Sequence, residues 1–95
     1  MEVWKFPFET KDVQDVEMPR GARFLHVAAQ QEQLYLWALV RPHEPITVRR
    51  RIRVVGTGQE ISANDSDNYI GTAMLFGGDL VWHVFDLGES GNGVA

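Results

Sequence analysis

The chain contains no cysteine, which excludes disulfides, thiolate zinc sites and cysteine nucleophiles together. No apolar run approaches the roughly 20 residues of a membrane helix, and no basic N-terminal segment leads into one, so neither a span nor a signal peptide is expected. Helical periodicity is missing too: no stretch repeats apolar residues at three- and four-residue spacing for long enough to hold a helix. Positive charge is scarce, with 9 Lys and Arg against 13 Asp and Glu and a net charge of -4. General nucleic-acid binders draw most of their affinity from phosphate neutralisation, so this balance argues against one. A cytoplasmic protein is the expectation, and the lack of cysteine fits a reducing compartment.

What is present is a globular composition. The 95 residues are 44% hydrophobic and 11% aromatic, enough for a single core that buries about 65% of the unfolded surface. The clearest structural statement is Tyr69 to Phe85, YIGTAMLFGGDLVWHVF, two apolar runs meeting at Gly77-Gly78. Paired glycines accept the positive φ of a tight turn, so the runs should fold back antiparallel. In the second run Leu80, Trp82 and Val84 point one way and Val81, His83 and Phe85 the other.

Five further strands, with the loops between them and a tail, make up the rest of the chain. Met1 to Phe8 alternates with Trp4, Phe6 and Phe8 on one face, and Pro7 places this strand at a sheet edge or ends it there. Val13 to Met18 is a short strand closed by Pro19 and Gly21. Arg23 to Ala29 sets Leu25 and Val27 opposite Phe24, His26 and Ala28; a polar break of hairpin length, Gln30 to Gln33, leads into the nearly all-apolar Leu34 to Val40. Pro42 and Pro45 mark a loop. Ile46 to Val55 is extended by its alternation, the polar loop Gln59 to Asn68 is pinned by Ile61 and has room for one helical turn, and the glycine-rich Gly88 to Ala95 reads as a flexible tail. The fold expected is all-β: one domain over residues 1–87, an antiparallel sandwich or barrel-like sheet of about seven short strands with little or no helix.

The segment ITVRRRIRVV carries the candidate chemistry. Extended backbone puts Arg49, Arg51 and Arg53 on one face, backed by Ile46, Val48, Ile52 and Val54, with guanidiniums about 6.5 to 7 Å apart. Such a ridge forks onto phosphate or carboxylate oxygens; the competing reading is pairing with acids on neighbouring strands. Gly56-Thr57-Gly58 follows and reads either as an anion nest of backbone N–H groups or as a turn that needs glycine. It lacks the Lys-Ser/Thr of a phosphate-binding loop. His26, His43 and His83 match no ligand spacing, so no metal and no cofactor are expected. The serines lie in polar loops or the tail without a nucleophile setting. Tyr35, Trp37, Trp82 and His83 are the candidate interface residues, since aromatics left on an outer sheet face are hot-spot material, and a homodimer is one outcome.

The pieces WKFPF (Trp4 to Phe8), MPRGA (Met18 to Ala22), LWALV (Leu36 to Val40), VVGTGQEI (Val54 to Ile61), YIGT (Tyr69 to Thr72) and LVWHVFD (Leu80 to Asp86), in that order, resemble a family of small all-β proteins of bacteriophage and prophage genomes. The resemblance implies a phage or prophage setting and supplies no catalytic residues. The resulting expectation is a non-catalytic binding module in the host cytoplasm, associating with a protein or other host macromolecule or with a small anionic ligand held by Arg49, Arg51, Arg53 and the Gly56 to Gly58 turn. A virion accessory subunit is the alternative, and an enzyme the second.

Overall fold

The computed structural model describes residues 1–92, with side chains through Glu89. Seven strands follow one another: β1 (Glu2–Phe8), β2 (Val13–Pro19), β3 (Arg23–Gln30), β4 (Gln33–Val40), β5 (Thr47–Gly56), β6 (Tyr69–Leu75) and β7 (Leu80–Asn92). They form two antiparallel sheets, one of order β1-β4-β3 and one of order β2-β5-β7-β6. The antiparallel all-β expectation holds, and the two sheets make it a sandwich.

The alternation read from the sequence decides what lies between the sheets. From the three-stranded sheet come Phe8, Val27, Leu34, Leu36, Ala38 and Val40; from the four-stranded sheet come Val16, Met18, Ile52, Val54, Ala73, Leu75 and Val84. Each side chain leaves a pleat pointing inward while its chain neighbours point out, so burying one face is enough to fix the register. In β3 the register slips between Phe24 and His26. That bulge turns both Phe24 and Val27 toward the core and leaves Leu25 44% exposed. The expected pairing of Leu25 with Val27 on one face is therefore corrected: a bulge inserts one residue and flips the faces on one side of it.

Along one side the sandwich is closed by the approach of β3 and β6. A Cβ added at Gly71 would lie 3.1 Å from Cβ of Val27 and 3.4 Å from its backbone N, so a larger residue here would push β3 and β6 apart by a few tenths of an ångström. On the other side β1 and β2 are the outer strands of their sheets, and Pro7 and Pro19 lie within them. Of the two outcomes expected from Pro7, a sheet edge or a strand end, the edge is the one found, and the strand runs on to Phe8.

Two segments differ from expectation. The β6–β7 hairpin is confirmed, but its turn takes in Phe76 with Gly77 and Gly78, and Leu75 pairs with Leu80 across it. The glycine-rich end is not a tail through Asn92: β7 runs on, with Gly88 opposite Arg51 and Asn92 opposite Val48. β5 is ten residues long, and its backbone groups need a partner along their whole length; two register shifts let the glycine-rich segment supply it. Residues 93–95 of the expected tail lie outside the described residues. The polar loop contains one turn, with Ser66 N–H donating to the carbonyls of Ser62 and Ala63.

Candidate functional site

The basic strand is extended, and Arg49, Arg51 and Arg53 share the outer face of the four-stranded sheet. Their surroundings follow from the β2–β5 register, which sets Glu17 opposite Arg49 and Asp15 opposite Arg51. Arg51 Nε donates to Asp15 Oδ1 at 3.1 Å; Arg53 donates through Nε to Asp12 Oδ1 and through Nη1 to Asp65 Oδ2, both at 3.0 Å. The hydrogen bond to Asp65 holds the Arg53 pKa above its ordinary value against the opposing effect of desolvation, and Asp12 adds to the rise. Of the two sequence readings, pairing with neighbouring carboxylates describes Arg51 and Arg53. At Arg51 such an exposed pair is worth at most about 1 kcal/mol.

Gly56, Thr57 and Gly58 form the turn that ends β5, with Gly58 at φ +91. The Gly56 N–H is taken by Gln59 Oε1, and the Gln59 N–H returns to the Gly56 carbonyl at 3.1 Å. This donor is therefore already engaged within the turn. Thr57 has a different role: its Oγ1 lies 2.8 Å from His83 Nε2, while His83 Nδ1 lies 3.0 Å from Thr72 Oγ1. His83 is thus held between two hydroxyls on the outer face of the four-stranded sheet.

The arginine that sequence reasoning passed over is Arg50. It occupies an inward position between Val48 and Ile52, both fully buried. Its Nη1 donates to the Ala22 carbonyl and its Nη2 to Asp86 Oδ2, each at 2.6 Å, and the guanidinium lies 4.5 Å from the Phe24 ring centroid. One cation ties β5 to β7 and to the turn before β3. Beside it opens a cleft of about 380 Å³ lined in part by Arg23, Phe24 and Tyr69. The signal was available: a charged residue on the aliphatic face of a strand must find partners inside.

The four interface candidates do not stay together. Trp82 turns inward against the core, opposite Ala73 and Gly56, which corrects its assignment to an outer surface. His83 is on the outer face of the four-stranded sheet. Tyr35 and Trp37 do share a surface, the outer face of the three-stranded sheet, with ring centroids 6.0 Å apart. Register brings Val3, Lys5 and Pro7 from β1 and Arg23, His26 and Ala28 from β3 onto that face. Lys5 Nζ sits 4.4 Å from the Tyr35 centroid and donates to Gln30 at 3.0 Å, and the His26 ring lies 5.8 Å from Trp37. The two formally charged residues on this face, Lys5 and Arg23, are both basic, although the chain carries a net charge of -4. Sequence reasoning found Tyr35 and Trp37 but missed Lys5, Arg23 and His26, because single-strand alternation does not say which strands are neighbours.

Among the described residues no group of His, Asp or Glu is placed to hold a metal ion, and no helix is long and apolar enough to cross a membrane. No curated protein and no solved structure shows a match to the chain. A family described as Domain of unknown function (DUF7352) matches residues 1–93, and the chain belongs to that family.

Proposed function

We propose that this domain is a non-catalytic interaction module of phage or prophage type that associates stoichiometrically with a host protein through the outer face of its three-stranded sheet. The observation that carries the reading is the Tyr35–Trp37 pair on the central strand, flanked by Lys5, Arg23 and His26. Aromatic rings with cations and adjacent aliphatic surface are the composition of interface hot spots. With only basic charge on the face, the fitting partner surface is acidic. Support for a small anion at the outer arginines is weaker, since Arg51 and Arg53 are bonded to Asp15, Asp12 and Asp65 and the Gly56 N–H to Gln59.

The test compares immobilised wild type with Trp37→Ala, Lys5→Glu and, as a control on the opposite sheet, Arg51→Gln, each first shown to be folded by circular dichroism. Capture from host lysate, quantified by mass spectrometry, is expected to yield one protein at near-equimolar amount. That protein should be lost from the two face variants and retained by the control. Retention by Trp37→Ala together with loss from Arg51→Gln refutes the assignment. A homodimer in sedimentation that dissociates in Trp37→Ala would instead give the face to a second copy of the chain.

A further inference from the structure

At one end of the sandwich the tips of two hairpins are tied together. Gln31 and Glu32 turn β3 into β4 with φ of 50 and 64, and Phe76 opens the β6–β7 turn with φ of 52. Glu32 Oε2 accepts the Phe76 N–H at 2.6 Å. A two-residue hairpin turn of type I′ takes positive φ at both positions, which accounts for Gln31 and Glu32. Phe76 needs a different account. Left-handed backbone is costly for a residue with a Cβ and rare for a bulky one, and the next two positions in the same turn are already glycine.

The Phe76 side chain repays little of that cost inside the fold, because it stays 56% exposed and is not a member of the core cluster. The hydrogen bond to Glu32 uses only the backbone N–H, which glycine would also supply. Strain kept in place by a neighbouring group, with no internal return from the side chain, is the pattern of a residue retained for an external contact. Leu80, across the turn, is 41% exposed and Met74 61% exposed. The charged residues of the two tips, Glu32 and Asp79, are both acidic.

We infer that Phe76 is a presented anchor: Glu32 fixes the turn so that the ring enters an apolar pocket on a partner protein whose rim is basic. This contact uses none of the sheet-face residues of the function proposed above and stands or falls separately from it. An exposed aromatic on a rigid turn loses little entropy on binding, and the acidic tips select the rim.

Two measurements test it. In urea unfolding Phe76→Gly should have a higher midpoint than Phe76→Ala, and a midpoint equal to or above that of the wild type. A midpoint well below the wild type would mean the ring is structural and would overturn the inference. For the contact, p-benzoylphenylalanine is placed at position 76 and, as a control, at His43 in the full chain, and host cells are irradiated. The expected result is one discrete adduct from position 76 only, mapping to an apolar pocket bordered by Lys or Arg, and reduced at least tenfold when Glu32→Gln is added. No adduct, an adduct shared with the His43 control, an adduct mapping elsewhere, or a dimer of the chain itself would each overturn it.

Discussion

Replacing Arg50 with methionine removes a cation whose side chain is only 12% exposed and leaves its partner Asp86, 20% exposed, without its ion pair. Three contacts disappear: the bonds to the Ala22 carbonyl and to Asp86 Oδ2, and the approach to the Phe24 ring. Breaking a fully buried pair costs about 3–5 kcal/mol, a charge-assisted hydrogen bond about 1.5–3 and a cation–π contact about 0.5–1. These overlap, and the residual exposure of both charges lowers the total. Arg50 Nε is moreover buried without a hydrogen-bond partner, a cost that methionine relieves. The loss expected for Arg50→Met is about 3 kcal/mol, a large share of the roughly 5–15 available to a domain. For a chain of this size that lowers Tm on the order of 12–24 °C. Urea unfolding followed by tryptophan fluorescence measures it directly. A double-mutant cycle with Asp86→Leu should show coupling of at least about 1 kcal/mol, because removing both charges no longer strands one of them. A stability change below about 0.5 kcal/mol in Arg50→Met, or strict additivity in the cycle, would refute the reasoning.

Two further outcomes follow from the packing. Gly71→Ala forces a methyl against Val27 Cβ at 3.1 Å and should destabilise by about 1–3 kcal/mol, read from the urea midpoint; the paired variant Gly71→Ala with Val27→Ala should recover part of it. Trp82 Nε1 is buried without a hydrogen-bond partner, so Trp82→Phe, which removes that donor, should change stability by less than about 1 kcal/mol in either direction. Trp82→Ala should cost about 3 or more.

Which of these features the sequence could show depends on how local they are. Alternation within a strand is local, and it put Arg49, Arg51 and Arg53 on one face with Val48, Ile52 and Val54 behind them without knowledge of the fold. Pro7 marked an edge or an end because a missing N–H excludes the middle of a central strand. Strand neighbours are not local: β1 pairs with β4 and β2 with β5 across intervening strands, so neither the carboxylates facing the arginines nor the cations flanking Trp37 were legible. Bulges also escape pattern reading, and the one at Phe24/His26 moved Leu25 out of the core. Gly88 to Asn92 misled for a related reason, since composition suggested flexibility while the length of β5 demanded a partner.

The same topology sets an order of events for the newborn chain. The two strands made first are the rims of their sheets, and each must wait for a later strand: β1 until β4 is made, β2 until β5. During that interval both are unprotected templates for foreign pairing. Their composition suits the wait, because a proline in each and the charges of Lys5, Asp15 and Glu17 make them poor seeds for edge-to-edge aggregation.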